Sequence, residues 1–226
     1  MADKILTFNG KTISGPSGTG IVMIKEPKPV QGVTIGGRTY RTVTIGNQEW
    51  MAENLDYKFS GLTFRDGVDG NEIDRNANLA QAVYYDYDEA TYGVNGNKYG
   101  LLYNWKAVNY LNNNLSALDV PSGWHLPTRA EWNSLVSAVG ENPGTKLKST
   151  TGWSSGAGTD DYGFSAAPAG EWSLGFYNVG SFANFWTPES NGSFAWYRCI
   201  DTETSVYNDN SNQYFGYSVR LVKNLT

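Results

Sequence analysis

The side chains best able to do covalent or acid–base chemistry in this sequence are one histidine, one cysteine and a pair of adjacent aspartates. His125 lies just before a predicted helix, where we interpret it as a buried, hydrogen-bonded framework residue and not as part of a catalytic relay or metal centre. Asp160 and Asp161 could suggest a glycosidase, which needs two carboxylates facing each other across a sugar. Neighbouring residues point apart on a strand, and in a Gly-rich turn one of them usually caps the chain. We therefore predict no catalytic residue.

Metal and cofactor sites are also not expected. Cys199 has no second cysteine with which to form an intramolecular disulfide or a multi-cysteine zinc or iron–sulfur site, so we expect it to pack in the core. Asp86, Asp88 and Glu89 offer oxygen ligands of the kind that Ca²⁺ prefers, but the EF-hand spacing is absent, and we interpret them as a solvated acidic loop. The chain has no GxxxxGK[ST] loop, no HExxH motif and no dinucleotide fingerprint. We predict no bound metal and no cofactor.

A polar and aromatic stretch near the C-terminus is the better candidate for function. The segment SVYNDNSNQYFGYSVR spans residues 205–220, and its middle is crowded with asparagine and aspartate. It lies between two predicted strands, FAWYRCID (194–201) and GYSVRLV (216–222), so we expect it to leave the sheet as a loop or short strand-turn with its side chains outward. Tyrosine supplies rigid contact area and asparagine both donates and accepts hydrogen bonds, a combination typical of binding loops. The alternative is structural, since asparagine is common in turns and a tyrosine can cover a sheet without a ligand.

Two predicted helices would support this segment. Leu101, Trp105 and Val108 recur at i, i+4 and i+7 and predict a helix over about 99–111. In GWHLPTRAEWNSLVSAVG, Thr128 is placed as an N-cap, Glu131 as its capping-box partner and Gly140 as the stop. The apolar face of this second helix is expected to comprise Trp132, Leu135, Val136 and Val139.

The remaining pattern predicts strands. Residues 38–45 alternate, Gly46 and Asn47 can turn, and residues 49–51 can form the partner strand of a hairpin. After Gly140, short aromatic runs alternate with Gly-rich turns. The predicted fold class is therefore α+β, with two helices against a mainly antiparallel, loop-rich sheet.

Composition and charge limit the partners. With 226 residues, 40% of them apolar, the chain can form one soluble domain with a sizeable core, or two. A net charge of −5 without a basic stripe argues against nucleic acid, and no apolar run is long enough for membrane insertion. The N-terminus has no apolar core of signal-peptide length, so no Sec signal is expected.

Residues 1–33 differ in their sequence pattern from the rest of the chain. The runs ILTF (5–8) and GIVMIK (20–25) read as short strands, separated by GPSGTG and followed by a proline-containing linker. We predict an N-terminal β arm and linker over 1–33 and a main domain over 34–226. The arm is either an edge hairpin packed on the main domain or an attachment element that could build a homo-oligomer.

Several blocks of the main domain resemble a known family. They are TVTIGNQEWMAENLDY, YGLLYNWKAV, PSGWHLPTRAEWNSLV, GTKLKSTTGW, GTDDYGFSAAPAG and GYSVRLV. In this order and spacing, from about residue 38 to 223, they look like the Fibrobacter succinogenes major paralogous domain. That family is similar to formylglycine-generating-enzyme-like proteins, and both resemblances imply a C-type lectin-like fold.

The sequence departs from these relatives at its cysteines. Val120 stands where relatives of the major paralogous domain often have a cysteine. The formylglycine-generating enzymes use a pair of cysteines late in the domain, whereas Cys199 is alone here. An enzyme of that type, or a carbohydrate-active relative, stays as an alternative function that would need Cys199 accessible and activated.

The position of the polar and aromatic segment near the C-terminus resembles that of the variable segment in a second group, the variable proteins of diversity-generating retroelements. In these phage tail and bacterial surface receptor-binding proteins, adenine-directed mutagenesis rewrites Asn-type codons near the C-terminus of a C-type lectin scaffold. The resemblance implies a protein or glycan ligand and a place on a phage virion or cell surface. A structural virion or surface component is a further alternative.

The mutagenesis cannot reach Trp, Glu or Gln from an Asn codon, so those residues are assigned to the scaffold: Trp186, Glu189, Trp196, Glu203 and Gln213. The predicted ligand-binding residues are Ser190, Asn191, Phe194, Tyr197, Asp201, Thr204, Tyr207, Asn208, Asp209, Asn210, Asn212 and Tyr214.

Overall fold

The computed structural model describes residues 31–66, 72–75, 78–88 and 99–225, together with the backbone of 4–8 and 11–15. The chain divides into two compact units, Met1–Val30 and Gln31–Thr226. In the first unit, β1 (Lys4–Phe8) and β2 (Lys11–Gly15) form an antiparallel hairpin. The predicted strand at 5–8 is thus present, but its partner is a run that the sequence did not single out. The predicted strand at 20–25 lies outside the described residues.

The boundary between the units falls three residues before the expected one. β3 (Gly32–Ile35) pairs with β4 (Arg38–Ile45), and this pairing includes Gly32 and Val33. Those two residues therefore belong to the main unit and not to the linker.

The main unit is α+β and its strands pair mostly antiparallel. One five-stranded sheet has the order β3-β4-β5-β15-β9, the second has the order β11-β10-β12-β13-β14, and β6-β7-β8 form a smaller sheet. Only the pairs β6–β7 and β10–β12 run parallel among the described strands. The remaining strand bounds are β5 Gln48–Met51, β6 Thr63–Arg65, β7 Gln81–Val83, β8 Leu102–Tyr103, β9 Trp124–His125, β10 Ala169–Trp172, β11 Phe176–Val179, β12 Ala183–Asn191, β13 Phe194–Ile200, β14 Val206–Asn212 and β15 Val222–Asn224.

Three α-helices lie within the described ranges: α1 (Trp105–Asn113), α2 (Arg129–Val139) and α3 (Pro143–Leu147). The short α3 was not predicted. α1 begins later than expected because the Asn104 side chain accepts a hydrogen bond from the Ala107 N–H and caps the helix. Leu101 is buried but precedes the helix, so it does not share the α1 stripe. None of these helices is both long and apolar enough to span a bilayer.

The start of α2 matches the sequence prediction. Thr128 Oγ1 accepts the Glu131 N–H at 3.2 Å, and Glu131 Oε2 accepts the Thr128 N–H at 2.8 Å, which completes a capping box. Trp132, Leu135 and Val139 are buried, and Gly140 ends the helix with φ of 76°. α2 therefore presents one apolar face to the core and a fixed N-terminus to the sheet beside it.

An aromatic cluster packs between α2 and the two large sheets. The Trp50 and Trp132 ring centroids lie 4.9 Å apart, and Phe164 and Phe185 complete the group. Fully buried Arg220 lies over the Phe164 ring at 4.4 Å and donates to backbone carbonyls that include those of Met51 and Ser165. These donations give the buried cation hydrogen-bond partners.

The predicted C-terminal strand over 216–222 is wrong in its extent. Gly216, Tyr217 and Ser218 make isolated bridges to three different neighbours, Trp172, Tyr103 and Phe185, and the regular strand β15 begins only at Val222. This segment crosses between three elements, so the backbone of each residue pairs with a different neighbour.

Candidate functional site

The amide-rich segment is an edge strand, which corrects the prediction that it leaves the sheet as a loop or short strand-turn. β14 pairs with β13 along its whole length, from Ile200 opposite Val206 to Phe194 opposite Asn212. Beyond the strand, the Gln213 N–H still reaches the Ser193 carbonyl at 3.4 Å. Backbone pairing does not depend on side-chain polarity, and polar side chains are common on edge strands because they discourage further pairing. The composition of β14 fits an edge position.

Alternation along β13 and β14 divides the predicted ligand-binding residues between the two sides of the sheet. We define the Trp196 face as Asn191, Phe194, Trp196, Asn208, Asn210 and Asn212, together with Arg129 from α2. We define the Tyr197 face as Ser190, Tyr197, Tyr207 and Asp209, together with Glu171 from β10. The structure therefore does not bring the twelve residues into one surface.

Three predicted residues lie outside both faces. Asp201 and Thr204 belong to the β13–β14 turn, where Asp201 Oδ1 accepts the Glu203 N–H at 2.7 Å and the Thr204 carbonyl accepts the Gly144 N–H at 2.7 Å. Tyr214 follows β14 and is half-buried, with its ring centroid 5.1 Å from that of Phe215. The Asp201 side chain and the Thr204 backbone carbonyl thus help to hold the turn.

The turn is also held from beneath by a lysine. Lys148 is buried, and its Nζ donates to the carbonyls of Thr202 at 3.1 Å and Glu203 at 2.8 Å. Burial lowers the pKa of Lys148, while the charges of Asp201 and Glu203 act in the opposite direction. The closed end of the hairpin is thus anchored to the core, whereas the end at Phe194 and Asn212 is not held in this way.

Arg129 organises the Trp196 face. It is the first residue of α2, and its guanidinium carbon lies 3.8 Å from the centroid of the Trp196 ring. Its Nε donates to Asn208 Oδ1 at 3.2 Å, and its backbone N–H donates to Glu189 Oε1 at 2.8 Å. Arg129 was not predicted as a site residue, because the candidate site was placed in the hairpin and its neighbouring strand end alone. The signal was available, since the capped helix start fixes this residue.

A second arginine lies beneath the first. Arg198 is only 5% exposed, and its Nη2 donates to the Arg129 carbonyl at 2.8 Å and to Asn133 Oδ1 at 2.7 Å. Burial lowers the pKa of Arg198, and the nearby positive charge of Arg129 acts in the same direction. The Trp196 face therefore carries two cationic groups and one adjacent carboxylate, Glu189.

The Tyr197 face is built on aromatic rings packed at a tilt to one another. The Tyr197 and Tyr217 centroids lie 4.7 Å apart, and buried Trp186 lies 4.5 Å from Tyr217. Glu171 accepts Asn184 Nδ2 at 3.1 Å, and burial raises the pKa of Glu171. Burial also raises the pKa of Tyr197 to about 12. These groups lie in a partly desolvated environment, so polar contacts there are stronger than in bulk water.

The exposed large side chains lie near the two ends of the hairpin. Phe194 is 42% exposed on the Trp196 face, and Tyr207 is 44% exposed on the Tyr197 face. Between them, Ala195, Cys199 and Ile200 of β13 are buried. The hairpin therefore combines a largely buried inner strand with exposed side chains at Phe194, the start of β13, and at residues 207–209 of the edge strand.

Three of the side chains considered for catalysis are buried or make hydrogen bonds within this fold. Cys199 is buried, and burial raises the pKa of its thiol to about 12, so the reactive thiolate is disfavoured. His125 is half-buried and not fully buried as predicted, and its Nε2 lies 2.6 Å from Oε1 of Glu131, whose other oxygen, Oε2, closes the capping box. Asp160 accepts the Ser165 N–H at 2.7 Å and the Ser165 hydroxyl at 2.6 Å. Each of these groups is engaged in holding the framework.

The described residues contain no cluster of three or more His, Cys, Asp or Glu side chains that could hold a metal ion. Of the acidic group considered for Ca²⁺, Glu89 lies outside the described residues. Asp86 and Asp88 lie at a short 3₁₀ turn, where Asp86 has φ of 51°.

Comparison with known proteins gives one result. No curated protein and no solved structure matches the chain. The model of the Fibrobacter succinogenes major domain matches residues 43–223, which include α1, α2, both large sheets from β5 onward and the β13–β14 hairpin. The chain belongs to the Fibrobacter succinogenes major domain family.

Proposed function

We propose that this chain is a ligand-recognition protein with a C-type lectin-like fold, and that its binding surface is the β13–β14 hairpin with the end of β12. The observation that carries the proposal is the separation of roles within the hairpin. The backbone of β14 is held by β13, while the side chains of Tyr207, Asn208 and Asp209 are exposed. Such side chains can change without loss of core contacts, and surface substitutions of this kind usually cost less than about 0.5 kcal/mol.

Two of the five residues assigned to the scaffold support the same division. Trp186 is buried and its Nε1 donates to the Tyr103 carbonyl at 2.8 Å. Gln213 Nε2 donates to the carbonyls of Gly192 at 3.0 Å and Phe194 at 3.2 Å, where it closes the β12–β13 turn. These residue types lie outside the set that adenine-directed mutagenesis can produce from an Asn codon. The pattern is the one expected if a retroelement rewrites the exposed positions and leaves the framework constant.

On this proposal the protein is a phage or bacterial surface receptor-binding protein whose ligand is a protein or a glycan. The N-terminal unit would serve attachment or oligomerisation. The alternative enzyme that uses Cys199 gains no support, because burial and the raised pKa both oppose a reactive thiolate.

A combined variant tests the tolerance of the surface. We expect Phe194→Ser with Tyr207→Ser and Asp209→Ser to lower the melting temperature by about 5 °C or less, since each exposed change costs about 1–2 °C. The matched control is Ile200→Ser on the same hairpin, which buries a hydroxyl in the core and should cost about 10 °C or more. Equal losses in the two proteins would mean that the exposed side chains are part of the fold.

Binding and diversification are tested separately. On arrays of bacterial envelope proteins and glycans, the signals of the wild-type chain should disappear in the combined variant, and signals that persist would locate recognition elsewhere. In the flanking DNA, we expect a near-copy of the codons for 184–224 that differs at adenines, beside a reverse transcriptase gene. Absence of that copy would refute the retroelement part of the proposal.

A further inference from the structure

The guanidinium of Arg129 is positioned by two contacts that leave its Nη edge uncovered by described residues. Its carbon lies over the Trp196 ring, 3.8 Å from the ring centroid, and its Nε donates to Asn208 Oδ1 at 3.2 Å. No residue in the described ranges is a hydrogen-bond or ion-pair partner of Nη1 or Nη2 of this side chain. The free Nη edge of a guanidinium is the geometry that binds a carboxylate with two parallel hydrogen bonds.

The surroundings of this edge favour an anion. Arg198 adds a second positive charge directly beneath, and its Nε is buried without a hydrogen-bond partner in the described part of the chain. The opposing charge here is that of Glu189, whose Oε1 accepts the Arg129 backbone N–H and whose buried Oε2 has no hydrogen-bond partner among the described residues. A local excess of positive charge on a chain with a net charge of −5 is a specific feature of this face.

Amides and an exposed ring continue along the same face. Asn210 lies opposite Trp196, and Asn212 lies opposite Phe194. Residues two apart on a strand are about 7 Å apart, so the asparagines from 208 to 212 span about 14 Å. Each amide can donate and accept, which suits the paired hydroxyls of a sugar, and the exposed Phe194 ring offers an apolar surface for the C–H face of a pyranose.

We propose that the Trp196 face binds a carboxylate-bearing sugar, with the carboxylate on the Nη edge of Arg129, hydroxyls on Asn210 and Asn212, and a ring against Phe194. This inference rests on the proposed function and specifies its ligand class. An acidic peptide side chain would use the Arg129 edge but would leave the asparagine row and the Phe194 ring without a role. The sugar engages all of these groups together.

The test is an NMR titration of the ¹⁵N-labelled full chain with methyl β-D-glucuronide, with methyl β-D-glucoside as the uncharged counterpart. We expect saturable shifts of the Trp196 indole N–H and the Asn208 and Asn210 side-chain amides with the glucuronide, and an affinity at least about tenfold weaker for the glucoside. Arg129→Gln should weaken glucuronide binding by about tenfold or more. Arg129→Lys should lose a similar factor, because an ammonium keeps the charge but lacks the planar fork.

Lys223→Gln removes a cation from the other large sheet and should leave glucuronide binding unchanged. The spectrum of each variant away from the Trp196 face reports whether it is folded. The inference is overturned by the absence of saturable shifts, by equal shifts with the two sugars, or by glucuronide binding that a folded Arg129→Gln variant retains. Acetyl-glutamate methylamide that binds as tightly as the glucuronide also overturns it, because a carboxylate alone would then suffice. Array binding that disappears in the combined hairpin variant but persists in Arg129→Gln would refute this inference and leave the proposed function standing.

Discussion

Replacement of Glu131 by glutamine should destabilise the protein in a pH-dependent way. Glu131 Oε2 accepts the Thr128 N–H and hydroxyl at 2.8 Å, and Oε1 faces His125 Nε2 at 2.6 Å and accepts Asn224 Nδ2 at 2.7 Å. One carboxylate therefore joins the start of α2 to β9 and β15. Glutamine keeps the shape, but its amide has one acceptor oxygen where the carboxylate has two.

The size of the effect follows from the carboxylate pKa. Burial alone would raise the pKa of Glu131, but the hydrogen bonds from His125, Thr128 and Asn224 outweigh it and lower the pKa from 4.5 to about 2. A shift of that size corresponds to about 3 kcal/mol. The side chains of His125 and Glu131 are 30% and 15% exposed, so solvent screening reduces the expected cost to about 2 kcal/mol.

The two partners set the pH window. The lowered pKa of Glu131 gives stability that is present above pH 4.5 and is lost as the pH falls toward 2. The hydrogen bond to Glu131 raises the pKa of His125 above 6.5, which gives stability that is present below pH 6.5 and is lost as the pH rises through the raised value. The difference in unfolding free energy between wild type and Glu131→Gln should therefore be largest between pH 4.5 and 6.5.

Urea unfolding followed by tryptophan fluorescence at about pH 3, 5.5 and 8.5 measures this difference. Glu141→Gln is the matched control, because Glu141 is exposed just beyond α2 and its replacement should cost less than about 0.5 kcal/mol. A Glu131→Gln difference that is the same at all three pH values would refute the role of the ion pair. A difference no larger than that of the control would refute the capping box as well.

Three further results are expected. Cys199 should not react with a thiol reagent in the folded protein at pH 8 and should react fully in urea, because it is buried with a pKa of about 12; rapid labelling of the folded chain would contradict the structure. Lys148→Met should lower the unfolding free energy by about 2 kcal/mol, because it leaves the Thr202 and Glu203 carbonyls without their donor, and an unchanged urea midpoint would show that this anchor is dispensable. In β14, hydrogen exchange should be slower at the backbone amides of residues 207, 209 and 211 than at those of residues 208, 210 and 212. The hydrogen bond from the Gln213 N–H to β13 sets a register in which the odd-numbered N–H groups point toward β13. Equal exchange rates would indicate that the edge strand is not paired as described.

The parts of the fold that were predictable from sequence are those with local causes. Thr128 and Glu131 lie three residues apart and make their bonds to each other, so the start of α2 is decided within one turn. The β4–β5 hairpin is likewise local, since Gly46 has φ of 59° in the two-residue turn between the strands. In these places, neighbouring residues carry both halves of the interaction.

The parts that were not predictable depend on residues far apart in the chain. The start of α1 depends on Asn104, whose side chain also binds the Gln81 N–H at 3.0 Å and the Leu79 carbonyl at 2.9 Å, so tertiary contacts help to fix that cap. Residues 216–218 alternate like a strand, but their bridges go to three separate partners, which the local pattern does not contain. β14 was predicted to leave the sheet as a loop or short strand-turn because its side chains are polar, whereas its conformation is set by the open edge of β13.

Contacts between residues far apart in the chain also explain why the candidate site was predicted only in part. Alternation along a strand places Tyr207 and Asn208 on opposite sides of the sheet. Which residues share each side follows only from the register with β13, which puts Tyr207 opposite Cys199 and Asn208 opposite Arg198. Once that register is fixed, the two sides differ in chemistry, because α2 delivers Arg129 to one of them and β10 delivers Glu171 to the other. The Trp196 face and the Tyr197 face are thus two fixed environments of opposite charge. A substitution on β14 changes only one of them, and the position of the residue in the strand decides which one.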